Sequence, residues 1–259
     1  MSLVLRSTSD QTGILQLNRA EKHNCLNGDL MREMMDALDA MVAEDLRVMV
    51  IRAAPGSKVW SAGHDINEIP EPRRDPLGYF DALETLLRKV QDCPVPVIAM
   101  VEGSVWGGAC DLCAACDLII AAQGSTFAMT PAKIGIPYNA SGLIHFTNLL
   151  GVNKAKEMFF TAQPVSVSDA WNNGLVNHVV PPEELETFTL ELGRAIAANA
   201  PLAVRSIKAE FRLLSRGHHI DAETAEQIQA TRRQVYDSED YAEGIRAFKE
   251  KRPPRFQGK

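Results

Sequence analysis

Two short segments carry the residues with the clearest chemical potential. The first is SAGHDI, Ser61–Ile66, which follows a strand-like run. A turn of small residues can leave backbone N–H groups unpaired and directed outward; the same residues also make a simple turn with a polar His64. The second is VEGSVWGGACD, Val101–Asp111. Here a buried-type strand ends at Glu102-Gly103 and the pair Gly107-Gly108 opens an apolar helix. A helix N-terminus presents unpaired N–H donors and the positive end of its dipole, and glycine lets another group approach them closely. Such a pair of donors stabilises an anion without a charged side chain. The alternative is a helix packed on a sheet that merely needs small residues.

A third segment, TPAKIGIPYNASG from Thr130 to Gly142, reads as a loop with one large polar-tipped side chain, Tyr138, and no Asp, Glu or His. That tyrosine is either a packing residue or a hydrogen-bond donor in a place without an acid or base. Cys110, Cys113 and Cys116 repeat every third residue on one expected helix flank. An iron–sulfur run of that form needs a fourth cysteine, so they read as small buried side chains. No phosphate-binding loop, HExxH or GxSxG motif is present. His218 and His219 fall on an expected helix end as solvated residues, and RPPR near the C-terminus reads as an exposed, extended stop.

Strands and helices must hold these segments in place. Leu3–Ser7 and Gly13–Asn18 read as a hairpin or meander. A helix capped by Asn27 follows, then the buried-type strand RVMVIRAA. Beyond the segment PEPRRDP a helix is expected near Gly78–Gln91. PVPVIAMVEG is another buried strand, GGACDLCAAC a helix, and DLIIAAQGSTFAM two more strands. From about Leu143 the chain turns helical, interrupted only by the short strand LVNHVV. This predicts an α/β core with a helical appendage in one compact unit, divided into residues 1–195 and 196–259.

Composition bounds the function. The 259 residues suffice for a sizeable core, 46% are apolar and 23% charged, and the net charge of −6 argues against a nucleic-acid footprint. No run of about 18 apolar residues suggests a membrane span. No signal peptide is apparent, and five cysteines, an odd number, fit a reducing compartment. A cytoplasmic protein without a metal site is the expectation.

SAGHDINEI together with VEGSVWGGACDL resembles the double signature of the crotonase (enoyl-CoA hydratase/isomerase) superfamily. NRAEKHNCLN, FAMTPAKIGIP and NAPLAVRSIKAEF fit it too, so the resemblance covers nearly the whole chain. It implies an α/β fold, a spiral of ββα units with a helical C-terminal trimerisation region, and hence a homotrimer or a dimer of trimers. It implies an acyl-CoA thioester as substrate, coenzyme A being part of that substrate and no further cofactor being needed. Carried over by position, the N–H groups of His64 and Gly108 hold a thioester enolate. The two glutamates of the family's hydratases fall at Asp111, one methylene shorter, and at Pro131, which has no acid–base chemistry. Hydration needs one group for water and one for the proton, so half the apparatus is missing.

An enolate also forms without a base when a malonyl-type thioester loses CO2. Within the family, SKVWSAGHDINEIP, SVWGGA, MTPAKIGIPYN and the segment RRQVYDSEDYAEGIRAFKEKRPP resemble the branch that decarboxylates methylmalonyl thioesters. That branch carries Glu where this chain has Asp111. The resemblance makes Tyr138 the contact to the scissile carboxylate and gives decarboxylation to a propionyl thioester as the expected reaction. A hydratase or isomerase acting on another acyl-CoA is the alternative. It further implies substrate contacts at Lys22, His23 and Cys25, at Ala62, Asp65 and Ile66, at Trp106 and Gly107, at Thr130 and Pro131, and at Phe248 and Lys251.

Overall fold

The structure is a computed structural model that describes residues 2–69, 74–75, 77–215 and 222–259. PEPRRDP therefore lies largely, and His218 and His219 wholly, outside the described residues. β1 (Val4–Ser9) and β2 (Thr12–Leu17) pair as an antiparallel hairpin, with Val4 opposite Leu17. α1 (Gly28–Ala43) follows, and the side chain of its cap Asn27 accepts from the N–H of Leu30.

Three units then repeat one pattern of a long strand, a short strand and a helix. The first is β3 (Val48–Arg52), β4 (Val59–Ser61) and α2 (Ala82–Asp92). The second is β5 (Val97–Val101), β6 (Ser104–Trp106) and α3 (Gly108–Ala115). The third is β7 (Leu118–Ala122), β8 (Thr126–Ala128) and α4 (Ala140–Thr161). The long strands extend the hairpin into one sheet of order β1-β2-β3-β5-β7-β10, where β10 is His178–Val180. The short strands make a second sheet, β4-β6-β8-β9, where β9 is Val165–Ser166. Both β4 and β6 escape a reading by periodicity, because three residues are too few to show one. The expected strand-to-helix step at VEGSVWGG thus contains an extra strand.

β3 and β5 are buried along their whole length, the reason their sequences run apolar without alternation. Their residues still divide between the faces with period two. Met49 and Ile51 enter the main core with Trp60, Leu86 and Phe127, whereas Val48 and Val50 enter a smaller one with Ile98 and Leu185. α5 (Val167–Asn172) precedes β10, and α6 (Leu185–Ala197) covers the smaller core. α7 (Pro201–Ser215), α8 (Ala222–Tyr236) and α9 (Glu239–Lys249) complete the helical region.

Several boundaries differ from expectation for local reasons. α2 starts at Ala82 rather than near Gly78, because Asp81 caps it by accepting from the Leu83 N–H. Within α4, LIHFTNLLG and KAKEMFFTA are two helical stretches, as their sequences suggest, joined across a kink at Gly151, whose φ of 70° is non-helical. The last segment splits into two helices at Ser238, which caps α9. Cys116 lies at the C-cap of α3 and is half-buried, whereas Cys110 and Cys113 are buried as expected. In RPPR, Arg252 is no bare stop: its guanidinium pairs with Glu243 at 2.6 and 3.0 Å. Among the described residues no helix is long and apolar enough to cross a membrane.

α9 docks on the 3-10 turn Pro131–Ile134 through two glycines and buries Tyr241. A Cβ on Gly244 would lie 2.3 Å from the carbonyl oxygen of Ile134. Gly244→Ala should therefore push the helix off and destabilise the fold by about 1–3 kcal/mol. A urea titration with unchanged midpoint would contradict that.

Candidate active site

The loop after β2 builds one wall. His23 and Asn24 take the left-handed conformation, with φ of 51° and 50°. Asn24 donates through its side-chain amide to the carbonyl of Trp60 at 3.0 Å and accepts the Ser61 hydroxyl on its own carbonyl at 2.7 Å. The Leu26 N–H donates to Gly63, and the Asp65 N–H donates back to Leu26. These bonds hold Gly63-His64 rigid. Gly63 has φ 82°, and a Cβ there would stand 2.4 Å from the carbonyl oxygen of Trp106. Only glycine allows the two backbones to come so close.

On the opposite side Gly107, with φ 51° and ψ −123°, turns the chain from β6 into α3. Gly108 is the first residue of that helix, and a Cβ on it would lie 3.6 Å from the nitrogen of His64. Among the described residues no acceptor pairs with the N–H of His64 or of Gly108. The nitrogens of His64 and Gly108 thus lie on two backbone segments in close approach. That arrangement can hold a carbonyl oxygen on which negative charge develops.

The two segments line a cavity of about 640 Å³. Lys22, His23 and Cys25 line it from the first loop, and Ala62, His64, Asp65 and Ile66 from the next. Trp106, Gly107 and Gly108 lie across from them, followed by Thr130, Pro131 and Tyr138, while Phe248 and Lys251 approach from the end of α9. Leu77, Leu83, Ile134 and Ile136 make much of the rest apolar. Asp65 spends its carboxylate on structure: it accepts from Arg19 at 2.9 Å and caps the turn Ile66–Glu68 through Asn67. Burial opposes its charge, but the bonds to Arg19 and Asn67 outweigh it and hold the carboxyl below its ordinary range. Burial and the Asp65 charge push the Cys25 thiol up to about 11, so it is not a thiolate near neutral pH.

Asp111 alone among the expected site residues does not line the cavity. It is wholly buried on α3, behind Tyr138. The tyrosine is not alone: its hydroxyl donates to Asp111 Oδ2 at 2.7 Å. A Cβ on Gly142 would lie 2.1 Å from the Tyr138 ring, so that glycine makes room for it. Nor is TPAKIGIPYNASG wholly a loop. It contains the turn Pro131–Ile134 and the cap Asn139, from which α4 begins.

Asp111 Oδ1 meets His145 Nδ1 at 2.7 Å, and His145 Nε2 lies 2.7 Å from the amide nitrogen of Gln91. Burial alone would lower the His145 pKa, but the bond to Asp111 and the charges of Asp111 and Glu84 hold it above the ordinary histidine value. Burial and the Asp111 charge push the Tyr138 phenol well up. Glu84, a second buried carboxyl, binds Asn139 at 2.5 Å and Ser141 at 3.0 Å and does not line the cavity. Burial keeps its carboxyl above the ordinary value despite the Asn139 bond. Nothing in the sequence marks Gln91 or Glu84, and the one signal for His145 is a histidine between Ile144 and Phe146 in an apolar helix. Among the described residues no group of three or more His, Cys, Asp or Glu could hold a metal ion.

A sequence profile of the enoyl-CoA hydratase/isomerase family matches residues 8–259. The chain is 46% identical over 251 residues to the methylmalonyl-CoA decarboxylase of Escherichia coli (strain K12), covering 97% of this chain and 96% of that one. It is 32% identical over 252 residues to a short-chain-enoyl-CoA hydratase of Clostridium acetobutylicum, covering 96% and 95%. A solved methylmalonyl-CoA decarboxylase in complex with 2-nitronate-propionyl-CoA superposes with a TM-score of 0.97 at 46% identity, over 99% of each chain. One complexed with 2S-carboxypropyl CoA gives 0.98 at 45%, over 100% of this chain and 99% of that one. The chain belongs to the enoyl-CoA hydratase/isomerase (crotonase) family.

Proposed function

We propose that this protein is a methylmalonyl-CoA decarboxylase, a carbon–carbon lyase that converts methylmalonyl-CoA to propionyl-CoA and CO2. The observation that carries this reading is the pair of unpaired N–H groups, His64 and Gly108, in a largely apolar cavity whose lining has a proline, Pro131, at the place of a hydratase's second glutamate. The thioester oxygen accepts from both donors. The C–CO2 bond breaks, its electron pair enters the thioester as an enolate, and a proton then adds to the α-carbon. No base is required for the first step, and coenzyme A is carried by the substrate itself. Similarity to decarboxylases at 45–46% identity over nearly the whole chain supports the same reading.

Tyr138 faces the scissile carboxylate in this scheme, with Thr130 and Trp106 beside it. Lys22, His23, Phe248 and Lys251 at the cavity edge take the CoA portion. Ile207, Phe211 and Leu214, 52–76% exposed and on one side of α7, give an apolar face that a second and third copy would cover, which supports a homotrimer or a dimer of trimers. We place the enzyme in the cytoplasm, in keeping with free, unpaired cysteines.

Incubation with methylmalonyl-CoA should release CO2 and propionyl-CoA, and crotonyl-CoA should remain unhydrated. The reverse outcome would move the protein to the hydratases. His64→Ala keeps the backbone donor and should hold decarboxylation within about tenfold, whereas Gly63→Ala displaces both donors and should lower kcat by roughly 10²–10³. Equal losses in the two variants would argue for the imidazole. Tyr138→Phe should slow the reaction by about ten- to hundredfold. It should also reduce stability by about 1–3 kcal/mol, because Asp111 Oδ2 loses its donor; steady-state kinetics and urea unfolding read the two effects separately.

A further inference from the structure

Tyr138 has one hydroxyl proton, and two acceptors compete for it. In the resting protein that proton goes to Asp111 Oδ2 at 2.7 Å. The phenol oxygen then shows the cavity only lone pairs, which repel a carboxylate. To receive a carboxylate the hydroxyl must turn outward. Asp111, wholly buried, would then lose the donor to Oδ2 and keep only His145 at Oδ1. A buried carboxylate stripped of a donor is costly, and how costly depends on the charge beside it.

We propose that His145 is a positioning residue for Tyr138: through Asp111 it governs whether the phenol hydroxyl is held inward or turned into the cavity toward a carboxylate-bearing acyl thioester. An imidazolium at Oδ1 neutralises Asp111 and makes a charge-assisted bond with it, so the carboxylate releases the hydroxyl more readily. A neutral ring leaves the whole buried charge on Asp111, which pulls the hydroxyl back. This inference rests on the proposed use of a malonyl-type substrate and adds the device that admits its carboxylate.

The surroundings of His145 fit a ring that changes charge. Gln91 donates to the neutral ring through its amide nitrogen and, turned over, accepts from the charged ring through its oxygen. Asp111 on α3 and Glu84 on α2 favour the charged form; Arg212 on α7 opposes it. Arg88, also on α2, lies 4.0 Å from Glu84 and offsets part of that carboxylate's charge. The net balance holds the histidine above its ordinary value. The sign follows directly: His145 is charged at low pH, so the outward hydroxyl is favoured at low pH and lost as pH rises through the raised value.

Calorimetric binding tests this without turnover, using 2S-carboxypropyl-CoA, which carries the carboxylate, and propionyl-CoA, which lacks it. In the unaltered protein the carboxylate ligand should bind about tenfold more weakly at about pH 9 than at about pH 6, while propionyl-CoA changes little. His145→Gln can still donate to Asp111 but never carries charge. It should bind the carboxylate ligand with the weak affinity at both pH values. Gln91→Glu, which favours the imidazolium, should shift the pH dependence upward even if His145→Gln folds poorly. Identical pH profiles in the unaltered protein and His145→Gln, or no shift with Gln91→Glu, would overturn the role of His145. Propionyl-CoA binding without turnover of methylmalonyl-CoA would remove the proposed reaction alone, and the carboxylate ligand would still decide about His145. Failure to bind either ligand would overturn both.

Discussion

The close passage of two backbones, Gly63-His64 over Trp106-Gly107-Gly108, is the constraint on which the rest depends. It needs a residue without a Cβ at position 63, because a side chain there would run into the Trp106 carbonyl. It needs the turn at Gly107, with φ 51°, so that α3 begins directly after β6 with Gly108 at the cavity wall. The β4–β6 pairing keeps the two segments parallel, with Val59 opposite Ser104 and Ser61 opposite Val105, the register shifting by one residue between them. The Asn24 and Leu26 bonds brace one of them from outside. Donors fixed in this way need no reorganisation when charge arrives, the condition under which backbone N–H groups are most effective.

Behind that passage lies a second layer with a different logic. Asp111 projects from the first turn of α3 into a place without water access and is satisfied from two sides, by Tyr138 and His145. Phe159 supports the tyrosine ring at 5.3 Å between centroids and Phe146 in turn. The hydroxyl of Tyr138 is thereby at once a core group and a cavity group. The front layer contributes immobile dipoles; the back layer holds a charge that can be compensated to different degrees.

Much of this was legible in the sequence, and the parts that were not have physical reasons. SAGHD and WGGA declare the donors because only small residues permit such an approach, and the need is local. The long strands declare themselves by continuous apolar runs. Of the short second sheet only β8 does, within DLIIAAQGSTFAM; β4 and β6 do not, since three residues carry no period. The chain from Asp111 through His145 to Gln91 was hidden because its members stand on three different helices, and nothing in the local pattern of any one of them marks the meeting. Tyr138 stands out in sequence as a polar tip in an apolar loop, but that its proton already has a buried acceptor is a property of the tertiary fold. The docking of α9 was equally silent: a lone Gly244 in a helix reads as a weak spot, and only the packed structure shows that it admits the Ile134 carbonyl.

That docking has a consequence for how the molecule responds to its ligand. The mouth of the cavity is edged by Lys22 and His23 from near one end of the chain and by Phe248 and Lys251 from near the other. A molecule seated there touches α9 only while the helix is packed in place. Its binding free energy is therefore added to the docked state and not to any state in which the last helix has come away. Occupancy and completion of the fold are thus linked quantities. The cavity is edged by parts of the polypeptide that are far apart in sequence, so a molecule held at its mouth would bridge them.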